Sequence, residues 1–235
     1  MIPSGRCVAV AVCVVVSVAA ALAQTTSATV PPSMTGVWEL AFDGRSVPMA
    51  VLTPEAAKAD RKEQMRQDVM AIRWCHLVGL PLLMDHGGPI EIVQGRLEVA
   101  ISGDGVPSHA RHIYLDREHP NMDVFDPQVV GHSVGRWNGD TLVVDTVGFS
   151  ERGVRRLPGG GVRTERSHLV ERYRLLEKGR KLSVAFTWED PKVFAKPHTY
   201  EFMYTRAPLG TTARPQRCDA ADDARAAFLM KSLEP

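Results

Sequence analysis

An antiparallel β-barrel is the fold this sequence predicts, on three observations. Residues 181–189 alternate strictly: Leu182, Val184, Phe186 and Trp188 lie on one face, Ser183, Ala185, Thr187 and Glu189 on the other. A period of two with one apolar side marks a strand buried on that side. Asn138-Gly139 separates two runs of mixed apolar and polar residues, and both residues tolerate the positive φ that a type I′ hairpin turn requires. From residue 90 onward nearly every segment reads as strand or turn, and with two strands before residue 53 the chain has about nine or ten antiparallel strands in meander order. A meander of that length has two unpaired edges, and closing it into a barrel removes them; a two-sheet sandwich is the alternative.

Taken in order, residues 1–23 read as a secretory signal peptide. Arg6 is their only charge, an apolar run covers 8–21, and Ala21-Leu22-Ala23 forms an A-x-A cleavage site. The run is too short for a transmembrane anchor, so the mature chain is expected to be periplasmic or secreted, with no integral membrane segment. Residues 24–33, rich in Thr, Ser, Ala and Pro, read as a disordered leader. Residues 34–235 read as a single barrel domain, long enough for a substantial core.

Gly36-Val37-Trp38-Glu39-Leu40 reads as the first strand, with 48–52 as its partner beyond a turn at Gly44. Thr53-Pro54-Glu55 is a helix start: a hydroxyl N-cap, Pro at the first helical position and a carboxylate in the first turn. One long helix follows to about residue 70, with Met65, Val69 and Ile72 on one stripe. Residues 73–89 form an irregular connection. Strands are expected at 90–93, 97–101 and 109–116, then a Pro-containing loop over 119–128 and the hairpin of 131–149. A second hairpin pairs 167–176 with 181–189, residues 199–206 supply the last strand, and 219–231 form a short C-terminal helix.

Loss of Arg6 with the leader takes the formal net charge from +1 to 0, so no field favours nucleic acid or an anionic membrane. Cys75 and Cys218 survive cleavage. In an oxidising compartment they are expected to pair, and closing a loop that long contributes about 5 kcal/mol on the chain-entropy model. Two unpaired buried thiols are the alternative.

The residues with chemical potential sit mostly on the hairpins. A two-residue loop at Asn138-Gly139 sets Trp137 opposite Asp140, Arg136 opposite Thr141 and His132 opposite Asp145. His132 and Asp145 then form a base with an orienting carboxylate, or a polar pair on a half-wet sheet. Glu171 shares its parity with Leu169, Tyr173 and Leu175 and so points into the barrel lumen. Burial raises a carboxyl's pKa unless Arg or Tyr partners it, and a structural Glu171–Arg pair is the simpler reading. His112 and Tyr114 form a further polar set. His109 and His112, three apart on a strand, face opposite ways and cannot share an ion, so neither metal nor cofactor is expected. Gly131-His132-Ser133-Val134-Gly135 matches the nucleophile elbow of α/β-hydrolases, but no helix follows the serine, as that motif requires.

Several blocks carry a resemblance. Arg111-His112-Ile113-Tyr114-Leu115-Asp116, the stretch 131–145, and Val170-Glu171-Arg172-Tyr173 with Asp190-Pro191-Lys192 resemble the signature blocks of a family of exported bacterial proteins, as do Thr53-Pro54-Glu55 and Cys75. The family has no established activity, so the resemblance implies export and fold and transfers no catalytic residue. Gly36-Val37-Trp38 is similar to the G-x-W of the lipocalins' first strand, where the tryptophan closes the barrel end.

The expected function is therefore a lipocalin-like barrel that binds a small apolar or amphipathic molecule. Its lumen would supply affinity, and Tyr114, His112, Trp137, Tyr173, Trp188 and Arg136 would contact the ligand. The alternative is a cofactor-free isomerase, hydratase or cyclase with Glu171, His132 and Asp145 as its acid–base groups. The sequence leaves the oligomeric state open.

Overall fold

Nine strands close into a barrel in chain order, the first pairing with both the second and the last. The computed structural model describes residues 31–41, 46–72, 79–104, 110–213 and 231. Within them lie β1 (Gly36–Leu40), α1 (Pro54–Ile72), α2 (Leu82–Asp85), β2 (Ile90–Gln94), β3 (Glu98–Gly103) and β4 (Arg111–Leu115). These are followed by β5 (His132–Asn138), β6 (Thr141–Val147), β7 (His168–Leu176), β8 (Lys181–Glu189) and β9 (His198–Arg206). The signal peptide, Cys75, Cys218, His109 and, apart from Lys231, the expected C-terminal helix lie outside the described residues. No helix among the described residues is long and apolar enough to cross a membrane.

Alternation builds the core. Trp38, Ile90, Ile92, Val99, Ile101, Ile113, Leu142, Val144, Leu169, Tyr173, Leu182, Val184, Phe186, Trp188 and Tyr204 are all buried to within 1%. They come from every strand but β5, whose inward Ser133 is equally buried. The β7–β8 hairpin has the register the alternation requires, with Leu175 opposite Leu182 and Glu171 opposite Phe186. At the β1–β9 closure Trp38 pairs with Arg206, whose guanidinium lies 4.2 Å over the indole and donates to the Thr35 and Gly179 carbonyls.

Four local expectations are corrected. The first concerns strand direction: β4 and β5 run parallel, with Ile113 opposite Ser133 and Leu115 opposite Gly135. Parallel neighbours need a long return, and residues 116–131 supply it where a meander was expected. The second concerns the organising hairpin. Asn138 pairs with Thr141, so Gly139-Asp140 is the loop, and positive φ falls on Gly139 (+62°) rather than on Asn138. That is the type II′ pattern, with glycine first. His132 thus faces Val147, and Asp145 faces Val134. The slip is by two positions, so His132 and Asp145 still share one face, as expected.

Third, residues 48–52 do not pair with β1. Leu52 bridges to Phe194, and Ala195 N–H donates to the Val51 carbonyl, which docks the approach to α1 against the segment after β8. Thr53 caps the helix through Ala56 N–H, and its own hydroxyl donates to the Lys192 carbonyl. Fourth, Met65 is half exposed and lies on no buried stripe; the side chains of Val69 and Ile72 lie outside the described residues.

Candidate functional site

Strands β5, β6 and β7 present alternate residues to the two sides of the wall, and each side carries its own polar cluster. Inside, Arg111 stands on β4 at the parity of Ile113 and Leu115. Its Nη1 donates to Glu171 Oε1 at 2.8 Å and to Tyr173 Oη at 3.1 Å, and its Nη2 donates to Glu171 Oε2. Nε and Nη2 also donate to Ser133 Oγ at 3.1 and 3.0 Å, and Nη2 reaches Thr146 Oγ1 at 3.0 Å. Tyr173 Oη donates to Glu171 Oε1 at 2.8 Å. Arg111, Glu171 and Thr146 are fully buried. Burial alone would lower the guanidinium's pKa, but the Glu171 carboxylate and the Tyr173 oxygen raise it above the ordinary value. Burial, followed by the charge of Glu171, pushes the Tyr173 phenol well up. The cluster is saturated: Glu171 faces inward as its parity requires, with both kinds of partner that spare a buried carboxylate its desolvation cost.

Outside, the groups differ. His119, carried on the 116–131 return, donates from Nε2 to Asp145 Oδ1 at 2.9 Å, and its Nδ1 lies 2.8 Å from Nδ1 of His132. Asp145 Oδ2 accepts from His168 Nε2 at 2.8 Å, and His168 Nδ1 lies 3.5 Å from Glu189. Asp145 is thus shared by two imidazoles. Its hydrogen bond from His168 holds its carboxyl below the usual range, and the same bond raises the His168 imidazole. Burial, and then the neighbouring His119, lower His132. Among the described residues no group of three His, Cys, Asp or Glu side chains has a metal-holding arrangement; both ring nitrogens of His119 are turned to protein partners.

His132 forms one wall of a cleft of about 360 Å³, together with His112, Tyr114, Phe125, Gln128 and Val130 among others. The rings form a ladder across β4 and β5: His112 to Tyr114 at 6.4 Å, and Tyr114 to His132 at 5.2 Å, both stacked. Phe125 meets the edge of His132 at 5.5 Å, and the Arg117 guanidinium lies 5.7 Å from the Tyr114 centroid. The return loop roofs this space because it is pinned to the sheet. Gln128 N–H donates to the Gly148 carbonyl and Ser150 N–H to the Gln128 carbonyl. Gly148 (φ +70°) makes the fit possible, since a Cβ there would stand 2.6 Å from Met122 Cε and 2.9 Å from the Phe125 ring. Arg163 anchors the same loop from behind. It donates to the carbonyls of Val129, Leu80 and Ser150, and burial, then the charge of Arg155, pushes its guanidinium down to about 9.

The expected site residues therefore separate. His132, Asp145, His112 and Tyr114 meet on the outer face. Tyr173, Trp188 and Glu171 are buried inside the barrel, where Trp188 Nε1 donates to Tyr200 Oη at 3.0 Å. Arg136 is exposed and paired with Glu118, and Trp137 sits inward opposite Leu142. Ser133, the serine of the elbow-like motif, faces the interior while Asp145 and His168 face outward, so the three assemble no triad. Two residues went unread. His119 is a lone histidine in a loop and carries no pattern. Arg111 does carry one: a cation at the parity of two core residues, the same parity logic that placed Glu171 inside.

The molecule is thus a nine-stranded barrel with a saturated polar core and an aromatic, histidine-walled cleft on its outer face. No family model and no curated protein matches the chain.

Proposed function

We propose that the protein is an exported, lipocalin-like barrel that binds a small, largely apolar molecule, and that it does so in the cleft over β4 and β5. The single observation carrying this reading is the cleft itself: about 360 Å³ of space walled by the stacked rings of His112, Tyr114 and His132. That volume falls within the range of small-molecule sites, which pair apolar walls with a few polar groups. Anilinonaphthalene dyes test it. We expect saturable binding of one dye per chain, weakened about tenfold or more by Tyr114→Ala, a change of at least about 1.4 kcal/mol. Absence of saturable binding, or indifference to Tyr114→Ala, defeats the reading.

The His132–His119–Asp145 chain favours a second reading, a cofactor-free isomerase, hydratase or cyclase in which His132 exchanges a proton with the bound molecule. Glu171 has no part in it, since its oxygens are engaged by Arg111 and Tyr173. On this reading His132→Gln removes turnover and leaves binding in place.

A further inference from the structure

We infer that the cleft selects molecules with a weakly acidic hydroxyl on a planar, unsaturated frame (phenols or enols), and that His132 Nε2 accepts the hydroxyl proton. The inference rests on the cleft being the binding site and goes further, to what must fill it.

Asp145 is a carboxylate and can only accept, so the His119 nitrogen 2.9 Å from it carries the hydrogen. Where that is the ring's one hydrogen, its Nδ1 holds a lone pair. The Nδ1–Nδ1 contact at 2.8 Å requires one hydrogen between the two rings, and with His119 accepting, His132 Nδ1 must supply it. A neutral imidazole has one N–H, so His132 Nε2 is left as a bare lone pair. Among the described residues that nitrogen has no hydrogen-bond partner, it is not one of the fully buried unpartnered atoms, and the residue that carries it lines the cleft. A carboxylate two residues removed thereby fixes which tautomer the cleft presents, as orienting carboxylates do in acid–base sites.

A bare acceptor between Tyr114 and Phe125 asks its ligand for a donor hydrogen on a flat apolar body. Proton transfer closes without an added reagent. The ligand's O–H bond breaks and leaves its electron pair on oxygen, while a new N–H forms at His132 Nε2. The hydrogen on His132 Nδ1 passes to His119 Nδ1, and the positive charge settles on His119 against Asp145. Arg117, whose guanidinium lies over the Tyr114 ring, is the cation this scheme assigns to the oxyanion. His119 and Asp145 are positioning residues in this scheme; of the three, only His132 touches the ligand.

The mature protein can be titrated with 4-nitrophenol, whose phenolate absorbs in the visible, and with 4-nitroanisole, the same molecule with its hydroxyl methylated. We expect the phenol to bind about tenfold or more tightly than the ether, the difference made by one hydrogen bond to a ready acceptor. The phenolate band should grow on binding, below the pH at which the free phenol ionises. Asp145→Asn and His119→Phe, which free the His132 tautomer, should erase both the preference and the band while dye binding persists. Equal affinity for the two probes, with both weakened by Tyr114→Ala, overturns the inference and leaves the binding site standing. Binding of neither probe while the dye still binds overturns the inference alone, and failure of the dye as well overturns both readings. Because the wild-type comparison is itself decisive, a variant that fails to fold does not rescue the idea.

Discussion

The inner and outer faces of β5, β6 and β7 are made from neighbouring residues of one chain, yet they answer to different rules. Inside, Ser133, Thr146, Glu171 and Tyr173 converge on Arg111, and every charged oxygen meets a donor. Outside, His132 and Asp145 stand one residue from Ser133 and Thr146, and with His119 and His168 they form an open chain that ends, among the described residues, in a nitrogen without a protein partner. The difference teaches what burial does to polar groups. Removed from water they must be completed by one another, and completion leaves nothing over for a ligand. At the wet face an incomplete set is tolerated, and incompleteness is what chemistry can use.

The largest expected effect breaks the inner set. Glu171→Gln strands the Arg111 charge in the core and should cost about 3–5 kcal/mol by chemical denaturation. The paired replacement Arg111→Met with Glu171→Leu should recover most of that loss, since an ion pair exchanged for apolar groups of similar volume is close to neutral. Asp145→Ala, the matching cut outside, should cost no more than about 1 kcal/mol. Equal losses from the two cuts would erase the contrast.

A smaller effect reaches the outer face through its roof. Gly148→Ala forces a side chain onto a positive φ and against Met122 and Phe125, at about 1–2 kcal/mol for the backbone alone. We expect dye binding to fall while the near-ultraviolet circular dichroism of the buried tryptophans is unchanged. Intact dye affinity in that variant would show that the 116–131 return does not shape the cleft.

The smallest effect is one of pH. His168 is raised, so the stability it gains from Asp145 is full below the unfolded histidine value of about 6.5 and fades as pH rises through its higher folded value. Asp145 is lowered, so its share is present above the unfolded value of about 3.9 and is lost as pH falls through its folded one. The difference in midpoint between wild type and His168→Gln should therefore be greatest near about pH 5 and shrink toward both sides. His132, held low, works the other way and weakens the fold on acidification below about 6.5. A midpoint difference that is flat from about pH 4 to about 8 contradicts this assignment.

Much of the barrel was legible because alternation is a strong code. The strict pattern of residues 182–188 sets both the face and the register of the β7–β8 hairpin, and it turns Glu171 inward. Strand direction has no such code: nothing in residues 109–116 distinguishes a strand entering a tight turn from one entering a long return. The turn slipped for a related reason, since Asn138 and Gly139 each accept positive φ and only tertiary pairing decides which does. Of the site, the parity of His132 and Asp145 was readable. The link between them was not, because His119 reaches them from a loop, and a loop's path is written in its anchors at Gln128, Gly148 and Arg163 rather than in its own residues.

The parallel seam has one more consequence. Strands β1–β4 and β5–β9 are two runs of antiparallel neighbours, or trains, joined at β4–β5 and again where the ends meet at β1–β9. The cleft straddles the first joint: His112 and Tyr114 come from one train, His132 from the other. Neither train alone owns both walls, so occupancy reports assembly, and a bound molecule acts as a rivet at that joint, its free energy added to the closed ring alone.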